Sequence, residues 1–286
     1  MLVNGCDCSI VIKTSHGEKD IPYSEETVRE AVSILQEEAS IEGDGVCGGI
    51  RISGGVTGCV VTPLTLGTAP LLLYLAMGSA GVPVFVSETR NMYEYRLNLL
   101  PLEDMERFDL IQDRGTERRL FYGCGVRGFE LRYLRGEAIK LKLDICGERA
   151  GVAYPYVDDF VREGGERFNG NNVFYRINGN DYTNIYGLTI SSKKEGGTKT
   201  ELWIRRVLDN EVEFPQLIDE ITITAQLVRD RYEVQRYGMF RISLKRLVLL
   251  GDETSVKVAD TVIAPLRYYV AGMVTADVFT YGDNLA

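Results

Sequence analysis

Six cysteines and a single histidine are the residues of this 286-residue chain best suited to hold a metal or attack a carbonyl. Cys6, Cys8, Cys47, Cys59, Cys124 and Cys146 are thinly spread, and His16 stands alone. The Cys6-x-Cys8 pair is one residue short of the usual Cys-x-x-Cys knuckle and has no second pair to close a tetrahedral set, so no metal site is expected. A cysteine nucleophile served by His16 would need the two groups within hydrogen-bond reach, which sequence alone does not establish. The thiols fit better as small reduced hydrophobes in strands.

Other chemistry-bearing patterns stop short of a motif. Gly43, Gly45, Gly48, Gly49, Gly54, Gly55 and Gly58 make a glycine-rich stretch, but no Gly-Lys-Ser/Thr follows it and no nucleotide cofactor is expected. Bent or bulged strand at a subunit edge, where one backbone approaches another, accounts for it better. The Asp/Asn-rich run from Asp158 to Asn172 lacks the alternation and closing glutamate of a calcium loop. The carboxylates Glu130, Glu137 and Asp144 are interleaved with Arg132, Lys140 and Lys142, a pattern that solubilises a sheet face rather than building a catalytic pair.

Thirty-two basic against 41 acidic residues give a formal net charge of -9, which excludes a tight grip on a phosphate backbone. The same sign suits a conduit, because an acidic wall repels a passing polyanion. The longest apolar run, Val60 to Ala76, is interrupted by Pro63, Gly67 and Pro70, so no membrane span is expected. The N-terminal MLVNGCDCSIVIK has neither a basic leader nor a long apolar segment, so synthesis in the cytoplasm is the expectation.

The elements follow from periodicity. Ser24 caps a helix expected to run to Ala39, with Val28, Ala31, Val32, Leu35 and Ala39 on its apolar face and Arg29, Glu30, Gln36, Glu37 and Glu38 solvated. Ala69 to Met77 reads as an apolar helix ending at Gly78, between strands at Thr57 to Thr62, Tyr93 to Leu99 and Phe108 to Ile111. A hairpin turns at Arg135-Gly136. Phe129, Leu131, Tyr133, Ile139, Leu141, Leu143 and Ile145 form its apolar face, and Glu130, Arg132, Lys140, Lys142 and Asp144 its charged one. Asn178-Gly179 marks a second hairpin. Strands are also expected at Ile221 to Val228, at Met239 to Leu250, on both sides of Pro265, and through Val274, Ala276 and Val278, with a short helix over Arg229 to Gly238.

An internal echo sets Gly128-Phe129-x-Leu131 against Gly187-Leu188-x-Ile190, and Leu141-x-Leu143 against Leu202-x-Ile204. It divides the chain into an N-terminal arm with helix (1–47), a first β unit (48–150), a linker (151–172) and a second β unit (173–286). The alternative, convergent β-patterning, stays open.

The glycine-rich stretch, the LLLYLAMGS helix, the RRLFYGCGVRGFELRYL strand and the hairpin closing at Gly147 together resemble the tail-tube proteins of siphophages and of related prophage or gene-transfer particles. The likeness covers Gly48 to Glu148 best and Val173 to Asp277 more loosely. It implies a mostly β fold, a tail-tube-like β-sandwich or half-barrel with short flanking α-helices on the outer side of the sheet. It implies a virion structural protein, not an enzyme, whose homo-oligomeric rings stack head to tail around a tape-measure protein. Tail terminator and distal tail proteins would cap the tube, and DNA would be ejected through it without specific binding. Six chains per ring are expected if the two units are halves of one domain, or three in a pseudo-hexamer if each is a full tube domain. Glu130, Glu137 and Asp144 are then candidates to face an acidic lumen. The alternatives are another tail ring protein (terminator, baseplate or contractile-tail inner tube) and a small-molecule-binding β-barrel.

Overall fold

The computed structural model describes residues 8–36, 49–78, 84–87, 92–114, 117–152, 165–207, 214–228, 236–252, 256–258 and 261–281. In chain order its elements are β1 (Ser9–Thr14), β2 (Gly17–Ile21), β3 (Glu25–Glu26), β4 (Arg29–Gln36), β5 (Gly49–Pro63), α1 (Ala69–Met77), β6 (Val84–Ser87), β7 (Met92–Asn98), β8 (Phe108–Asp113), β9 (Arg118–Leu134), β10 (Lys140–Gly147) and β11 (Arg149–Val152). There follow β12 (Val173–Ile177), β13 (Asn180–Tyr182), β14 (Ile185–Lys193), β15 (Lys199–Val207), β16 (Leu217–Val228), β17 (Arg236–Asp252), β18 (Val256–Val258), β19 (Thr261–Val270) and β20 (Val274–Tyr281). The fold is mostly β and its strands pair antiparallel, as the alternating patterns require.

Two layers emerge from the pairings. The first runs β4–β5–β10–β9–β14–β15–β19. The second runs β13–β12–β16–β17–β20–β7–β6. They are joined through β17, which pairs with β20 over Met239–Leu244 and with β19 over Leu247–Asp252. Between these stretches Arg246 adopts φ 55 and the chain corner Ala271–Met273 bonds back to Lys245 and Arg246. β19 and β20 are thus one long line bent at a corner, which turns the sheet over onto itself. Across the gap the rings of Tyr133 and Phe240 are 6.2 Å apart, and Phe168 meets Phe240 edge-on at 4.8 Å.

A third, smaller sheet is a wing. The first half of β9 leaves the main layer to pair with β8 and β11, and β8 continues through β1 to β2. β9 therefore serves two sheets, which explains its length of 17 residues.

α1 lies inside the body, a correction to its expected place on the outer side of the sheet. Every residue of it except Tyr74 is buried. Pro70 presets the first turn, Thr65 and Thr68 share a hydroxyl bond of 2.8 Å before it, and Gly78 at φ 114 stops it, donating its N–H to Tyr74 O. A helix apolar on all sides has no solvated face and becomes core, each buried leucine contributing about 2 kcal/mol of transfer free energy.

The expected helix over Ser24 to Ala39 is not formed. Glu25–Glu26 and Arg29–Gln36 are strands paired with β5, while Glu37, Glu38 and Ala39 lie outside the described residues. The β-branched Thr27, Val28, Val32 and Ile34 already favoured extended backbone, and the long open edge of β5 overrode the helical spacing. The register slips where Gly54 and Gly55 bulge β5, and that slip breaks strict alternation. Gly54 and Gly55 are bulged as expected, but β5 is no edge, since it lies between β4 and β10; Gly43, Gly45 and Gly48 lie outside the described residues. Of the helix expected over Arg229 to Gly238, Arg236–Gly238 belong to β17 and the rest lies outside the described residues.

Within the segment read as a linker, residue 152 closes β11 and Phe168 is buried in the core, its N–H bonded to Leu64 O. Pro265 sits inside β19, in register with Arg205 of β15; among the described residues the other side of β19 is partnered by β18 up to Ile263 and by β17 from Leu266.

Candidate functional site

The outward face of the first layer carries the side chains singled out by sequence. Register places one row straight across eight strands: Val61, Lys142, Glu130, Ser191, Glu201, Tyr269, Val248 and Leu217. A second row runs Lys140, Arg132, Thr189, Trp203 and Arg267. The opposite face, including Phe129, Leu131, Tyr133, Leu141, Leu143, Leu188, Ile190, Leu202 and Ile204, is buried. Strict alternation over these strands fixed both faces.

Glu130 and Asp144 share this outward face, whereas Glu137 is exposed in the hairpin turn at its end. Their surroundings carry both signs. Asp144 lies 3.7 Å from Lys142 Nζ, and Glu130 pairs in register with Lys142. Glu201 accepts two bonds from the Arg267 guanidinium at 2.7 and 3.0 Å, and that guanidinium stacks 5.0 Å over the Trp203 ring. Arg267 holds the Glu201 carboxyl below the usual range despite partial burial. Toward β16 the row turns apolar, with Tyr269, Val248 and Leu217 exposed by 38%, 43% and 60%.

Edges are the second functional feature. Among the described residues β4 pairs only with β5, and β6 only with β7. Val84 and Phe85 on β6 are exposed, and Phe85 packs edge-on against Tyr93 at 5.2 Å. β16 is treated differently where it runs past β12. Asn178 Oδ1 accepts the N–H groups of Asp219 and Glu220 there, and so blunts that edge.

Among the described residues the His16 ring is met by a carboxylate and a phenol rather than a thiol. The ring neighbours of His16 are Glu106 and Tyr74, and burial pushes the Cys124 thiol up to about 12, the reverse of activation. Cys6 and Cys47 lie outside the described residues. Among the described residues no group of three or more His, Cys, Asp or Glu side chains could hold a metal ion, and no helix is long and apolar enough to cross a membrane.

Two groupings escaped the sequence reading. Lys194, in the β14–β15 turn, is buried with its ammonium on Ala76 O at 2.7 Å. Ser15, His16, Tyr74 and Glu106 gather where the wing meets α1. The solitary histidine was the one signal for the second, and nothing marked the first. No family model and no curated protein matches this chain.

Proposed function

We propose that this chain is a ring-forming structural subunit of the tail tube of a long-tailed phage or a phage-like particle. The observation that carries this reading is an open, curved antiparallel sheet with one buried apolar face, one charged face, and terminal strands β4 and β6 whose outer sides are unpaired among the described residues. Such edges need covering, and copies joined edge to edge satisfy them. Contacts between unlike surfaces along an axis do not close on themselves and yield stacks.

In this reading the mixed-charge face looks into a channel. Locally neutralised pairs such as Arg267–Glu201 offer a polyanion no continuous basic track, so DNA passes without being held. The exposed apolar end of the row, with Val84 and Phe85, belongs to contacts between copies. The further partners are the tape-measure, terminator and distal tail proteins, and the protein ends in the virion tail after synthesis in the host cytoplasm. The rival carrier reading is less well supported, because the space between the layers is filled by α1, Phe168 and Phe240.

Negative-stain microscopy of the concentrated protein tests the proposal, together with sedimentation velocity across a concentration series. Stacked rings or tubes are expected. A monodisperse monomer at all concentrations and salt conditions overturns it.

A further inference from the structure

The β1–β2 turn meets the body at the carboxylate of Glu106. Glu106, just before β8, takes the Ser15 hydroxyl at 2.5 Å and the Ser15 N–H at 3.3 Å, both on Oε1. Its Oε2 is shut off from solvent and takes no hydrogen bond. The Tyr74 hydroxyl lies beside the carboxylate from α1 and helps to hold it ionised, while Oε2 itself has no partner in good hydrogen-bond geometry. His16 Nε2 stands 3.9 Å from Oε2, with its ring edge-on to Tyr74 at 6.1 Å.

A solvent-excluded carboxylate oxygen without a donor is costly, and a protonated imidazole supplies an N–H and a compensating charge whichever tautomer the neutral ring held. We propose that His16 and Glu106 form a pH-responsive latch, which clamps the β1–β2 hairpin and its wing sheet onto α1 when the imidazole is protonated.

The surrounding groups leave the imidazole as the element that switches. Burial, reinforced by Glu106, pushes Tyr74 up to about 12, so it remains a neutral phenol. Burial alone would raise Glu106, but the Ser15 and Tyr74 hydroxyls hold it below the usual carboxylate range. On the wing, Lys13 is paired with Glu18 at 2.5 Å and feels Asp109 of β8. As classes, carboxylates and lysines titrate outside the span from about pH 5 to 8, and imidazoles within it. The clamp is therefore present while the imidazole carries its second proton and is lost when that proton leaves. The Glu106 carboxyl, held below the usual carboxylate range, keeps its charge until the solution is more acidic than ordinary carboxylates require.

Hydrogen exchange of the intact chain tests the latch, with protection of the β1–β2 peptide corrected for intrinsic exchange. Protection is expected to be about threefold greater near pH 5.5 than near pH 8, as suits a partly exposed charge-assisted contact. His16→Gln and Glu106→Gln should each bring that ratio to about one. An equal ratio in the wild type, or a ratio that survives in His16→Gln, overturns the proposal. Should the variants fold poorly, the wild-type chain still decides the matter by NMR, since its one histidine gives a single imidazole titration. The Tyr74 ring resonances must follow that titration, and a Tyr74 ring indifferent to it overturns the latch.

Discussion

Gly128 and Gly187 stand at opposite ends of the seam between β9 and β14, and each admits the backbone of the other strand. A Cβ on Gly128 would lie 2.9 Å from Ser192 O, and one on Gly187 would lie 2.6 Å from Tyr133 O. Gly128 is paired with Lys193 and Gly187 with Leu134, so in each case the crowded oxygen belongs to the residue before the partner. The two hairpins that echo each other in sequence thus lie side by side, related by a local two-fold about this seam.

The seam predicts two equivalent losses. Gly128→Ala and Gly187→Ala should each destabilise the protein by about 2 to 4 kcal/mol, because backbone rather than a flexible side chain must give way. Gly251→Ala, with nothing within 4 Å of its Cβ and no positive φ, should stay within about 0.5 kcal/mol. Urea unfolding midpoints at constant m-value report all three. A seam variant as stable as the control would refute the close approach.

Lys194 predicts an alkaline gain in stability. Three of the last carbonyls of α1 are claimed: Tyr74 O by the Gly78 N–H, Met77 O by the Leu100 N–H and Ala76 O by the Lys194 ammonium. Burial lowers the Lys194 pKa to about 8, so between there and the unfolded value of 10.5 the unfolded chain holds the extra proton. Stability on this account rises as pH climbs through that window, by on the order of 2 to 3 kcal/mol in full. Below it the penalty of the buried charge is fully present. Lys194→Met should remove this part of the pH dependence, read as the difference between the two proteins' melting temperatures from neutral to alkaline pH. Parallel curves would count against it.

How much of this was legible in sequence depended on whether local pattern and tertiary pairing agreed. In the 129–145 hairpin alternation, turn and burial pointed the same way, and the strands pair without a break from Lys140–Arg132 to Leu143–Phe129, with a bulge only between Asp144 and Ile145. α1 was legible because its leucines lie between Pro70 and Gly78, both strong punctuators. Residues 25–36 were not, since Val28, Ala31, Val32 and Leu35 satisfy a helical period while their partner strand lies in β5, beyond any local window. β1 and β2 went unread for lack of a turn signal beyond His16-Gly17. Of the outward face, Glu130 and Asp144 were placed by alternation alone, but the apolar continuation through Tyr269, Val248 and Leu217 depended on strand order, which one sequence does not encode locally.

Asn178 predicts a local rather than global loss. It holds φ 48 at the turn before Gly179, while its side-chain oxygen accepts the Asp219 and Glu220 N–H groups at 2.9 and 3.1 Å. Asn178→Ala removes both bonds and leaves a left-handed alanine, for a cost of about 1 to 3 kcal/mol. Asn178→Asp keeps the acceptor and should recover most of it. Hydrogen exchange at Asp219 and Glu220 should accelerate in the alanine variant and remain near wild type in the aspartate one.

The apolar end of the outward row separates self-association from stability. Leu217 and Val248 pair in register, and both are exposed by more than two-fifths, so folding alone gains little from their side chains. Leu217→Ser with Val248→Thr should change unfolding free energy by no more than about 1 kcal/mol. The same change strips apolar area from a surface that the ring reading assigns to contacts between copies, and large exposed patches of this kind mark such contacts. Sedimentation velocity of the double variant should show assemblies weakened at concentrations where the wild type associates. A variant that unfolds readily would mean the row belongs to the core of the monomer, and one that assembles unchanged would free these residues from any role between subunits.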